Sequence, residues 1–214
     1  LIDSTVTMDE KDLLRNRMRG CLYGQCVGDA MGLATEFLTF PQALGIYGVE
    51  AINIDTFWHD GHRARWVAGD YTDDSDQMLL ILNSILDKQH IDYRDFANRL
   101  FRWIYKGFDV LADGGGLGLG KTVKTVVTHS YFLKQDPHAA SKDVWERSNK
   151  QLAANGAIMR TCILGMYDYS DIEKVISQTT EIAKVTHYDP RAIASCVAVT
   201  TFIAQVLQEN PSEV

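Results

Sequence analysis

From Lys11 to Met31 the apolar positions Leu14, Met18, Cys21 or Leu22, and Cys26 recur at steps of three and four, the spacing of one helical face. A second stripe, Met78, Leu79, Leu82, Ile85 and Leu86, predicts an amphipathic helix over 74–86, with Asp73 or Asp74 suited to cap its start. Asp92 is placed to begin a third helix, "DYRDFANRLFRWIYKG", with Asp95 at its third position and Gly107 as its stop. Ser170 is placed to cap "DIEKVISQTTEIAKV". Asp189 followed by Pro190 opens a last helix, because proline forfeits no needed donor in a first turn. Only "GVEAINID", 48–55, has the character of a strand. With no fixed repeat, low-complexity tract or linker, the pattern predicts a single all-α domain over 11–214, preceded by a flexible segment over 1–10.

Gly20, Gly24, Gly28 and Gly32 recur every four residues inside the first stripe. Missing side chains along one face are expected to let another helix pack closely there.

Composition narrows the class of protein. A chain of 214 residues can bury one sizeable core, and 46% hydrophobic with 23% charged residues is ordinary for a soluble protein. No apolar run approaches the roughly 20 residues of a membrane span, so no membrane association is expected. A net charge of -7 repels polyanions, which argues against a nucleic-acid partner. Cys21, Cys26, Cys162 and Cys196 lack C-x-x-C pairing and zinc spacing, and read as buried free thiols suited to a reducing compartment. No apolar signal region opens the chain, and a cytoplasmic location is expected.

Two segments carry candidate chemistry. Within "ADGGGLGLGKTVKT", Gly115 to Thr122 satisfies G-x-x-x-x-G-K-[ST], the phosphate-cradling P-loop. A working P-loop needs a buried strand immediately before the glycines, whereas "FRWIYKGFDVLAD" reads as the end of a helix and a polar turn. An NTPase is therefore disfavoured. What survives is a glycine loop that exposes amides ahead of a helix begun by Lys121 and Thr122, which can hold a phosphate.

In "GDYTDDSDQM", Thr72, Asp73 and Asp74 place one hydroxyl and two carboxylates at a helix N-terminus. Oxygen-only donors suit Mg²⁺ or Mn²⁺, although a capping run would have the same composition, and three side chains do not complete six-fold coordination. Asp29 and Glu36 lie among small and apolar residues at the end of the first helix, where an unpaired carboxylate is costly and invites either a hydrogen-bonding or a site role.

Five segments in order, "RGCLYGQCVGDAMGLATEF", "GDYTDDSDQM", "DGGGLGLGKT", "ANGAIMR" and "THYDP", resemble the ADP-ribosylglycohydrolase family from about Arg19 to Pro190. The resemblance implies an all-α bundle with two adjacent Mg²⁺ or Mn²⁺ ions in a central cleft. It also implies hydrolysis of an N- or O-glycosidic bond to ADP-ribose, with ADP-ribose or an ADP-ribosylated protein as partner. By resemblance Thr72, Asp73 and Asp74 would be metal ligands, and Glu36 would act catalytically with Asp73 and Asp74 by positioning water or gating substrate. Gly115, Gly116, Gly118, Gly120 and Thr122 would wrap the diphosphate, with Asp113 near the substrate. Asn155 and Gly156 would approach the distal ribose, and His187 would line the cleft by the phosphates. The family's later D-x-D-T segment does not follow Pro190, so the chain is expected to be the N-terminal portion of such a hydrolase. A catalytically inactive relative that binds ADP-ribose is the alternative.

Overall fold

The computed structural model describes residues 10–49, 57–111 and 113–208. Among them run nine α-helices: α1 (Glu10–Leu33), α2 (Phe40–Tyr47), α3 (Asp73–Lys88), α4 (Tyr93–Lys106), α5 (Lys121–Val127), α6 (Pro137–Arg147), α7 (Leu164–Tyr167), α8 (Ile172–Lys184) and α9 (Pro190–Gln208). Short 3₁₀ turns at Arg63–Arg65, Asp109–Leu111 and Asn155–Arg160 join them. No strand occurs among the described residues, and the all-α class follows. Most of "GVEAINID" lies outside the described residues.

The amphipathic stripes become the core. Met78 and Ile81 of α3 meet Phe96, Leu100 and Trp103 of α4, together with Val123 and Val126 of α5, all at most 1% exposed. Truncating any of the three large α4 side chains to alanine would cost roughly 2–5 kcal/mol. α4 begins where expected: the Asp92 carboxylate accepts from the amides of Arg94 and Asp95, and Gly107 at φ 62 ends the helix. α9 opens at Pro190 and packs along α8, with a buried hydrogen bond from Thr179 to Thr200 joining them.

Five expectations need correction. Thr72, not Asp73 or Asp74, caps α3: its backbone is extended and its hydroxyl faces the Asp74 amide, which puts both aspartates inside the first turn. Asp171, one residue after Ser170, caps α8 because its carboxylate reaches the Lys174 amide. Among the described residues no helix packs closely on the glycines of α1. A Cβ placed on Gly20, Gly24, Gly28 or Gly32 would meet nothing within 4 Å. Further, α9 is long and apolar enough, by length and composition, to cross a membrane, with a mean hydropathy of 1.5. Its Cys196, Thr200 and Ala204 are buried against neighbouring helices. Cys162 and Cys196 are buried free thiols, while Cys21 and Cys26 are only half-buried.

Candidate functional site

The site starts from one carboxylate in α1. Asp29 Oδ1 accepts the Thr72 hydroxyl at 2.7 Å, and Oδ2 accepts the Thr72 amide, the Ser75 amide and the Ser75 hydroxyl at 2.9, 3.0 and 2.7 Å. Asp29 thus does the capping work that a helix N-terminus demands, from another helix. Asp73 and Asp74 are released from capping. Asp73 Oδ2 accepts from Gln77 Nε2 at 3.0 Å, which leaves Oδ1 toward the glycine loop.

Acid crowding shows in the ionisation. Burial, reinforced by the charges of Asp74, Asp29 and Glu36, pushes Asp73 up to about 8. Burial with Asp29 and Glu36 pushes Asp74 up to about 6. Asp76 is pushed up to about 7 by burial, against a hydrogen bond from Trp103 Nε1. Such like-charge crowding is what a bound cation relieves.

Glu36 sits in the turn after α1, and that turn is held by an arginine. Arg63, 1% exposed, donates to the carbonyls of Leu33, Ala34 and Glu36 and pairs with Asp60. The α1 C-terminus therefore receives the cation that its dipole and orphan carbonyls favour. The Glu36 carboxylate lies 2.7 Å from His62 Nε2, and His62 Nδ1 lies 2.6 Å from Arg65 Nη2. Arginine only donates, so Nδ1 accepts and the Nε2 proton faces Glu36. Arg65 in turn stacks 4.5 Å over Trp66.

The glycine loop follows α4 and the 3₁₀ turn at Asp109–Leu111, with no strand before it, as the rejection of the P-loop requires. Gly118 has φ +90, and a Cβ there would lie 2.7 Å from Asp73 Oδ1 and 3.3 Å from the Trp66 ring. Gly116 presses on the Trp103 ring in the same way, and Gly120 caps α5. Asp113 is exposed, and its Oδ2 accepts the Phe108 amide at 3.0 Å, a turn-closing role.

Two cavities meet here. One of about 290 Å³ is lined by Glu36, His62, Trp66, Thr72, Asp73 and the loop 118–121. The other, of about 520 Å³, runs along the glycines of α1 past Glu36, Thr72 and Asp74 to Asn155. Glu36 and Thr72 border both, and the open α1 glycines are the wall of the larger. Gly115, Gly116, Asp113, Thr122, Gly156 and His187 line neither of the two. Gly156 instead touches His187: a Cβ there would lie 3.1 Å from its Cε1.

Sequence patterns did not single out Arg63, His62, Gln77 or Arg160. Gln77 lies within "GDYTDDSDQM" and Arg160 ends "ANGAIMR", so their places in these two segments were the signals that could have found them. The hydroxyl and carboxylate donors of Thr72, Asp73 and Asp74 suit a hard cation such as Mg²⁺ or Mn²⁺. Among the described residues, no three His, Cys, Asp or Glu side chains converge as a metal-binding group.

The chain is 27% identical over 191 residues to an uncharacterized protein of Archaeoglobus fulgidus, covering 89% of this chain and 56% of that protein. It is 25% identical over 182 residues to the ADP-ribosylarginine hydrolase Tri1 of Serratia proteamaculans, covering 85% and 44%. The ADP-ribosyl-[dinitrogen reductase] glycohydrolase of Rhodospirillum rubrum is 22% identical over 198 residues, covering 91% and 59%. The chain spans about half the length of the curated relatives it matches. The sequence profile of ADP-ribosylglycohydrolases matches residues 10–214, and the chain belongs to the ADP-ribosylglycohydrolase family.

Proposed function

We propose that the protein is a metal-dependent hydrolase that removes ADP-ribose from a modified protein side chain or a related ADP-ribosyl conjugate. The observation that carries this reading is the meeting of Glu36, Thr72, Asp73 and Asp74 where two cavities join, with the glycine loop forming one wall. Family membership supports the same reaction class.

Cleaving the C1″ bond of an ADP-ribosyl group builds positive charge on the sugar ring, and the crowded carboxylates stabilise that charge. Thr72, Asp73 and Asp74 would hold Mg²⁺ or Mn²⁺, which supplies a clamp for ribose hydroxyls and a more acidic water. Glu36, with one oxygen accepting from His62 Nε2, orients a water toward C1″. The water oxygen bonds to C1″, the acceptor atom leaves with the bonding pair, and a water proton is transferred to the acceptor. Gly118 and Gly120, which line the smaller cavity, hold the diphosphate, and Asn155 approaches the distal ribose, whereas the Gly116 amide is spent on the Trp103 and Ile104 carbonyls.

A second reading is a relative that binds ADP-ribose without turnover. One experiment separates them. The full-length protein is incubated with ADP-ribosylated arginine, ADP-ribosylated serine and O-acetyl-ADP-ribose, each with Mg²⁺ or Mn²⁺, and free ADP-ribose is measured. Release that Asp73→Ala and Asp74→Ala each abolish supports the hydrolase; binding of ADP-ribose without release supports the second reading, and neither activity overturns both.

A further inference from the structure

Arg160 is fully buried, yet no carboxylate touches it. A guanidinium withdrawn from water without a direct ion pair is costly, so its contacts need a reason. It stacks 4.9 Å over Phe96 and spends its two outer nitrogens on neutral partners. Nη1 donates to Gln77 Oε1 at 2.7 Å, and Nη2 donates to Thr186 Oγ1 at 2.8 Å.

Each contact dictates the next. Arginine has no acceptor, so Gln77 must turn its oxygen to Arg160 and its amide nitrogen to Asp73, where Nε2 lies 3.0 Å from Oδ2. Thr186 already accepts from Arg160, and its hydroxyl proton has His187 Nδ1 at 2.8 Å to donate to. With Nδ1 accepting, a neutral His187 carries its proton on Nε2. Burial and the Arg160 charge push His187 down to about 3, which keeps the ring neutral. Nε2 is buried and has no hydrogen-bond partner among the described residues. It lies against Gly156, 3.4 Å from where a Cβ would stand.

We infer that Arg160 is a positioning residue that serves two groups at once: through Gln77 it orients the Asp73 carboxylate, and through Thr186 it fixes His187 as the Nε2–H tautomer. What an oriented Asp73 does rests on the proposed function; the tautomer does not. Asp73 and His187 stand at opposite ends of one buried chain, Asp73–Gln77–Arg160–Thr186–His187, every member at most 8% exposed. Only glycine at 156 lets the ring come so close.

Nitrogen-15 NMR of the His187 ring in the ligand-free, full-length protein at neutral pH tests the tautomer without any activity. The expected result is a protonated Nε2 and a bare Nδ1. A bare Nε2 overturns the proposal whether or not any variant folds. Thr186→Val removes the hydroxyl and keeps the shape, and Thr186→Ser restores it. Thr186→Val is expected to mix the two tautomers, and Thr186→Ser is expected to return the ring to the Nε2–H form. An unchanged tautomer in Thr186→Val would also overturn the relay. Wild-type protein that fails to bind ADP-ribose defeats the functional reading alone, and the ring spectrum then decides the relay.

Discussion

Asp29 in α1 holds Thr72 across 43 residues of sequence, taking its amide on one oxygen and its hydroxyl on the other. Ser75 gives the same carboxylate two more bonds, so one side chain of α1 sets the first turn of α3. Asp29→Ala would leave these donors without their acceptor and is expected to cost about 3 kcal/mol by denaturant unfolding. Asp29→Asn, which keeps one good acceptor, is expected to lose less. A fully stable Asp29→Ala would mean that the α3 N-terminus does not depend on α1.

Much of this was legible in the sequence, and the part that was not has a physical cause. Stripes at steps of three and four marked α1, α3 and α4 because core burial and helical period coincide there. Asp92 and Gly107 marked the ends of α4 because local capping chemistry suffices. The α1 glycines misled, since spacing alone does not say whether a face meets a helix or a cavity. Gln77, Arg160 and Thr186 lie inside the family-like segments, but their roles were illegible because they rest on contacts 83 and 26 residues apart, which no local pattern carries.

The glycine loop gives a controlled comparison. Gly118→Ala must tolerate φ +90 and a methyl 2.7 Å from Asp73 Oδ1. It is expected to lose roughly 1–2 kcal/mol of stability and most affinity for ADP-ribose. Gly120→Ala, at φ -65 with nothing within 4 Å, is expected to stay within about 0.5 kcal/mol of wild type. Equal losses in the two variants would show that the approach of Gly118 to Asp73 is unimportant.

His62 offers a different contrast. Its pair with Glu36 is partly exposed, with side chains 23% and 42% accessible, so His62→Ala is expected to change stability by less than about 1 kcal/mol. Turnover should suffer more, about tenfold in kcat with little change in KM, because Glu36 loses the partner that aims it. Steady-state kinetics of His62→Ala beside Glu36→Gln check this. A His62→Ala enzyme with wild-type kcat would remove His62 from the account.

The crowded acids at the start of α3 predict how stability responds to pH and cations. Asp73, Asp74 and Asp76 are held up to about 8, 6 and 7, above the ordinary carboxylate value of 3.8. The folded state therefore binds these protons more tightly than the unfolded chain does. Their contribution is fully favourable below about pH 4, falls as pH rises, and is lost by about pH 8. In a chelating buffer the unfolding midpoint is expected to be lower at pH 8 than these groups allow at pH 5. A divalent cation that binds the ionised site reverses the penalty, so Mg²⁺ or Mn²⁺ should raise the midpoint at pH 8 much more than at pH 5. Asp73→Asn keeps the shape without the charge and should abolish most of that cation-dependent rise. Thermal unfolding of both proteins at the two pH values, with and without cation, measures it; an equal rise in Asp73→Asn would place cation binding elsewhere.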